Sequence, residues 1–150
     1  MNALKSLTRS LMTLGMIAGL FAAVLMPAAQ ANAASRGAYI TLHVFECSGK
    51  TGDLYGDCHD WKNNALDGAA FKVAGVVRYT SGGYVSWKPG AGYHTVRGYN
   101  FGWGYYESYV YCSNQVTGAV LYDGPSGGDD AVSFTTTVGQ EVICDWYYLY

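Results

Sequence analysis

The chain reads as an all-β sandwich stapled by disulfides and exported from the cell, on three observations. The closing stretch Gln140–Tyr150 (QEVICDWYYLY) alternates strictly, with Val142, Cys144, Trp146 and Tyr148 on one side and Glu141, Ile143, Asp145 and Tyr147 on the other. A period of two over β-branched and aromatic residues is the mark of a strand with distinct faces. All four cysteines, Cys47, Cys58, Cys112 and Cys144, lie beyond an export signal, where an even number argues for two bridges. The remaining apolar runs are short, separated by Gly-rich turns, and no amphipathic helix follows the signal; this is the pattern of a sandwich.

The export signal comes first. Lys5 and Arg9 form a basic start, an apolar run from Leu11 to Met26 follows, and Ala29-Gln30-Ala31 and Ala31-Asn32-Ala33 each fit a cleavage site. That order defines a secretory signal peptide, assigned here to residues 1–33 with cleavage after Ala31 or Ala33. The apolar run is shorter than the ~20 residues a membrane span needs, so no membrane association is expected after cleavage. No Cys follows the run to take a lipid anchor. Cleavage leaves about 117 of the 150 residues, a single-domain length, and moves the formal charge from −2 to −4. An acidic chain without a basic cluster excludes nucleic acid and anionic lipid as expected partners.

The sandwich is assigned to residues 38–150. Tyr39–Cys47 (YITLHVFEC) is the first strand, Ile40, Leu42 and Val44 facing one way and Tyr39, Thr41, His43 and Phe45 the other. Ser48–Asn64 shows neither period and reads as a loop. Ala69–Val77 (AAFKVAGVV) reads as a second strand with Phe71 and Val73 inward; Arg78–Thr80 extends it or begins another. Ser81-Gly82-Gly83 is a turn, since Gly supplies the positive φ a hairpin needs. Tyr84–Lys88 follows as a strand with Val85 and Trp87 inward, then a turn over Pro89–Gly92 and a strand over Tyr93–Tyr99. Asn100–Tyr105 (NFGWGY) is an exposed aromatic loop. Tyr106–Ser113 is a strand placing Val110 and Cys112 on one face. Val116–Tyr122 and Ala131–Val138 read as a pair of strands around the loop Asp123–Asp130.

Four cysteines allow three pairings. Cys47–Cys58 closes a short loop, and Cys112–Cys144 joins two strands whose face parity agrees. These are the preferred bridges, with crossed pairings open.

Taken in order, ITLHVFEC, GDCHD, LDGAAFKV (Leu66–Val73), GGYVSWKPGAGYHTV (Gly82–Val96), YVYC and GQEVICDWY (Gly139–Tyr147) resemble the prealbumin-like (SpaA / Cna B-type) domains of bacterial surface and secreted proteins, in their cysteine-containing variety. The resemblance spans most of the mature chain. It implies an Ig-like sandwich of about seven strands, a stalk, spacer or adhesin-support role at the cell surface, and no enzymatic activity or cofactor. Many members carry an isopeptide bond from a first-strand Lys to a last-strand Asn or Asp, helped by an acid. The matching positions here are Val44 and, for the acid, Arg97, so no such bond is expected, and the disulfides replace it. The chain shows no C-terminal sorting motif, so the expected location is secreted or extracellular, with any surface retention non-covalent.

Candidate sites follow from residue chemistry. Cys47, Cys58 and His59, with His43 or His94, make a zinc set on paper, but the Cys-x10-Cys-His spacing matches no tight ligand pattern and an oxidising compartment consumes the thiols. No metal site is therefore expected. A hydrolase built on His43, His59 or His94 lacks a nucleophile elbow, and His43 and His94 are expected on outer strand faces. Asp53, Asp57 and Asp60, or Asp123, Asp129 and Asp130, fit no calcium loop and read as solvated turn acids. The aromatic excess is the remaining feature: Phe101, Trp103, Tyr105 and Tyr109, beside Tyr99, exceed the inward seats available. They suit a protein partner or stacking on sugar rings, which makes a carbohydrate-binding module the alternative to a structural or interaction module.

Overall fold

Alternation along the chain becomes two packed sheets in a computed structural model, which describes residues 37–49, 51–100 and 104–150. The signal peptide, Phe101 and Trp103 lie outside the described residues. In chain order the elements are β1 (Tyr39–Cys47), α1 (Leu54–Cys58), β2 (Ala70–Val73), β3 (Val76–Tyr79), β4 (Tyr84–Trp87), β5 (Gly92–Gly98), β6 (Glu107–Asn114), β7 (Val120–Pro125), β8 (Ala131–Thr136) and β9 (Glu141–Leu149). One sheet has the order β4-β1-β9-β6-β7 and the other β3-β2-β5-β8. The first and last strands are parallel neighbours, Val44 lying opposite Trp146, whereas every other described pair is antiparallel.

The core between the sheets is built from the inward residues the alternation marks. Ile40, Leu42, Val44, Val110, Val142 and Trp146 from one sheet meet Phe71, Val73, Val96, Val132 and Phe134 from the other. Phe71 stands edge-on to Trp146 with ring centroids 5.1 Å apart, the arrangement the ring quadrupoles favour. Cys112 and Cys144 are direct partners in the β6–β9 ladder and form a disulfide inside this core. Cys47 and Cys58 form the other bridge, so all four thiols are consumed. Along one margin the edge strands β3 and β4 are tied across the sheets: Arg78 Nη1 donates to the Ser86 carbonyl at 2.7 Å and Trp87 Nε1 to the Val76 carbonyl at 3.0 Å.

Four sequence expectations need correction. The run AAFKVAGVV is a hairpin, because Ala74 (φ 49°) and Gly75 (φ 83°) turn the chain between β2 and β3. Val76 and Val77 sit exposed on the edge. The strands β7 and β8 are not a pair: β7 lies on β6 and β8 on β5, in different sheets. The chain crosses between the sheets at residues 126–130, and β7 begins at Val120, leaving Val116 in an exposed turn. The loop over Ser48–Asn64 contains one short helix, α1, capped by the Asp53 side chain accepting from Gly56 N–H at 2.8 Å. Lastly, His94 shares the inward parity of Val96, pairs with the buried Phe134 and contacts the Gly90 carbonyl at 3.1 Å, so it lies at the inner margin rather than outside.

Candidate functional site

A strand with one buried face normally leaves its other face wet; the C-terminal half of β9 does not. Trp146, Tyr147, Tyr148 and Leu149 are consecutively buried. The outward residues Tyr147 and Leu149 belong to a second apolar cluster with Phe45, Cys47, Cys58 and the half-buried Leu54. The segment 48–64 therefore forms a strap over the outer face of the five-stranded sheet. The Cys47–Cys58 bridge anchors it at one end, and Asn64 Nδ2, donating to the Cys58 carbonyl at 3.1 Å, folds it on itself.

Where strap meets sheet, side chains converge. His43 on β1 and Asp145 on β9 are register partners on the outer face, and His43 Nδ1 lies 3.0 Å from Asp145 Oδ1. From the strap, His59 brings Nε2 to 3.6 Å from the same oxygen. All three side chains are about four-fifths buried. Rings hold the imidazoles in place: Trp61 stands edge-on to His43 at 4.8 Å, and Tyr55 stacks on His59 at 4.6 Å with Phe45 on its other flank at 4.6 Å.

Beside this cluster runs a groove of about 300 Å³ floored by Tyr147 and walled by Leu54, Tyr55, Tyr109, Tyr111, Asp123 and Asp145. Tyr147 is 2% exposed, and among the described residues its hydroxyl has no hydrogen-bond partner. Burial, then the Asp145 carboxylate, pushes that phenol well above its usual range, so it stays a proton donor. At the rim, Tyr109 donates a 2.6 Å hydrogen bond to Asp123 Oδ1, which raises its own pKa. A second, open hollow of about 470 Å³ lies over β2 and β5, lined by exposed polar groups including Lys72 and Arg97. Arg97 there pairs with Asp129 at 3.1 Å.

The sequence candidates are distributed as follows. His43 and His59 come together, joined by an acid that the sequence gave no reason to single out, and His94 stays apart. Tyr109 lines the groove, while Tyr105 packs on Tyr148 at the margin of the inner face and hydrogen-bonds to Glu46. Tyr105 and Tyr109 thus serve opposite faces of one sheet. Burial and the bond to Glu46 push the Tyr105 phenol far up. Among the acids expected in solvated turns, Asp130 is a correction: it is buried and accepts from Ser108 and Tyr148, because the chain crosses between the sheets there. Asp60, in contrast, is a local acceptor, taking Lys62 N–H and the Asn63 amide, which lowers its pKa. Asp57 bonds to Thr51. Tyr55, Trp61, Asp145 and Tyr147 escaped sequence reasoning because only the β1–β9 register and the strap's path bring them together.

No family model matches the chain, and no curated protein matches it. Among solved structures it is similar to the major pilin from Streptococcus pyogenes and to two variants of that pilin. Each is 11% identical with a TM-score of 0.37, over 77% of this chain and 49% of the pilin chain. The chain thus spans about half the pilin's length, and a likeness this loose carries no argument about function.

Proposed function

We propose that the protein is a non-catalytic extracellular interaction module, a disulfide-stapled sandwich that receives its partner in the strap-side groove. The observation that carries this reading is the groove itself, a concave site of about 300 Å³ whose walls are mostly apolar and aromatic, from Leu54, Tyr55, Tyr109, Tyr111 and Tyr147. Ligand sites are concave and mostly apolar with a few placed polar groups, and here Asp123 and Asp145 supply the polar groups among aromatic walls. Two disulfides fit an oxidising compartment, and the negative balance of the mature chain disfavours nucleic acid and anionic lipid.

A second reading, carbohydrate binding, is favoured by the rim. There the Tyr109 ring is held beside the Asp123 carboxylate, an apolar face next to an acceptor, as sugar rings require. The test is binding of the oxidised protein to a panel of polysaccharides and extracellular matrix proteins. Saturable binding to one class, lost in Tyr109→Ala and Tyr111→Ala with unchanged melting, supports the groove and identifies the class. Absence of binding across the panel, or binding that survives both substitutions, overturns the assignment.

A further inference from the structure

We infer that His43, His59 and Asp145 form a binding site for a single divalent transition ion of the zinc class, clamping the strap to the sheet. Three observations carry this. First, three ligand atoms from three separate segments lie within 4.8 Å of one another. Second, the two spacings from the carboxylate oxygen fit, and the two imidazole ligand atoms lie no more than 4.8 Å apart. A tetrahedral ion with bonds of about 2.0–2.1 Å sets its ligands about 3.3 Å apart, and the Asp145 oxygen lies 3.0 Å from His43 Nδ1 and 3.6 Å from His59 Nε2. Third, the imidazoles are held before any ion arrives. Cys58 fixes the neighbouring His59 through its bridge to β1, and Trp61, Tyr55 and Phe45 pack the two rings.

The donor set selects the ion. Two imidazoles and one carboxylate suit zinc and its neighbours, whereas calcium and magnesium require a shell of oxygens. The thiols that would add soft ligands are locked in bridges. The residual exposure of all three side chains gives an entry path and leaves a fourth position for water. On binding, the ion takes the place of the hydrogen bond between His43 Nδ1 and Asp145, with the imidazole N–H carried on Nε2. Because the strap and the sheet both supply ligands, the ion stabilises the folded state in which they meet. Asp145 also lines the groove, but this inference does not require the groove to have a partner.

The experiment uses the exported, oxidised protein without a histidine tag, stripped with chelator and titrated calorimetrically with zinc chloride, calcium chloride serving as control. One equivalent of zinc is expected to bind and raise the melting temperature, with no response to calcium. Cobalt(II) is expected to give the strong visible bands of a tetrahedral site. His43→Ala, Asp145→Asn and His59→Gln are each expected to weaken zinc binding by at least about tenfold, and His94→Ala to leave it unchanged. His59 lies on the strap, outside the sandwich core, so His59→Gln decides the matter should a sheet variant fail to fold. Absence of zinc binding, or zinc binding unchanged in His59→Gln, would overturn the site.

Discussion

The Tyr148 hydroxyl on β9 donates a 2.6 Å hydrogen bond to Asp130 Oδ2, where the chain crosses from one sheet to the other. Asn100 Nδ2 donates to the same hydroxyl at 2.8 Å, and Ser108 Oγ donates to Asp130 Oδ1 at 2.9 Å. Four polar side chains thus close one end of the interior.

This knot makes stability depend on pH. Burial raises the Asp130 pKa, opposed by hydrogen bonds from Tyr148, Ser108 and Ser126. A raised folded pKa means that the native state holds a proton the unfolded chain gives up. The stabilisation is therefore complete below the unfolded value of 3.8 and is lost as pH rises through the higher folded value. The melting temperature of the wild type relative to Asp130→Asn is expected to be highest in acid and to decline toward neutrality. A difference that stays flat with pH, measured by calorimetry, contradicts this account.

Removing the phenol isolates the bond itself. Tyr148→Phe leaves Asp130 and Asn100 each short of a partner in a buried site, a loss of about 1–3 kcal/mol in urea denaturation. Gly98→Ala attacks the same knot sterically, since a methyl there would collide with the Asp130 carboxylate and the Tyr148 hydroxyl. It is expected to destabilise by about 1–3 kcal/mol.

The two disulfides have separable roles. By loop-closure entropy, losing Cys47–Cys58, 11 residues apart, costs about 3 kcal/mol, and losing Cys112–Cys144, 32 apart, about 4 kcal/mol. Cys112→Ala/Cys144→Ala also empties sulfur from the main core, so its deficit should exceed the entropic figure. Cys47→Ala/Cys58→Ala is expected to retain the sheets while the strap amides lose protection in hydrogen exchange. Equal loss of protection in β1 and β9 would show that the strap is not an independent layer.

Ala74 is the correctable weakness. Its positive φ puts an L-residue where a two-residue hairpin prefers Asn or Gly. Ala74→Asn, making an Asn-Gly turn with Gly75, is expected to stabilise by about 1 kcal/mol, read as a higher denaturation midpoint with unchanged slope.

Much of the sandwich was legible because period two is a local property. The inward parity of Ile40, Val110, Cys112, Val142 and Trp146 follows from each strand alone, and the structure seats all of them in the core. Where one small residue decided the outcome, local reading failed. Ala74 has no turn preference of its own, so the β2–β3 hairpin looked like a single strand. His94 was misplaced because its face depends on Val96 being inward, and the polar strand around it gave no clean apolar alternation.

The sequence by itself determined a β protein of alternating strands, with cysteines placed for two bridges, since side-chain parity and turn chemistry act over a few residues. Only tertiary structure decided that β1 and β9 run parallel in a register setting His43 beside Asp145, and that the strap carries His59 and Tyr55 over them. Such proximity is settled by which backbone edges pair and which apolar faces remain to be covered, and the pattern within any single segment does not contain that choice.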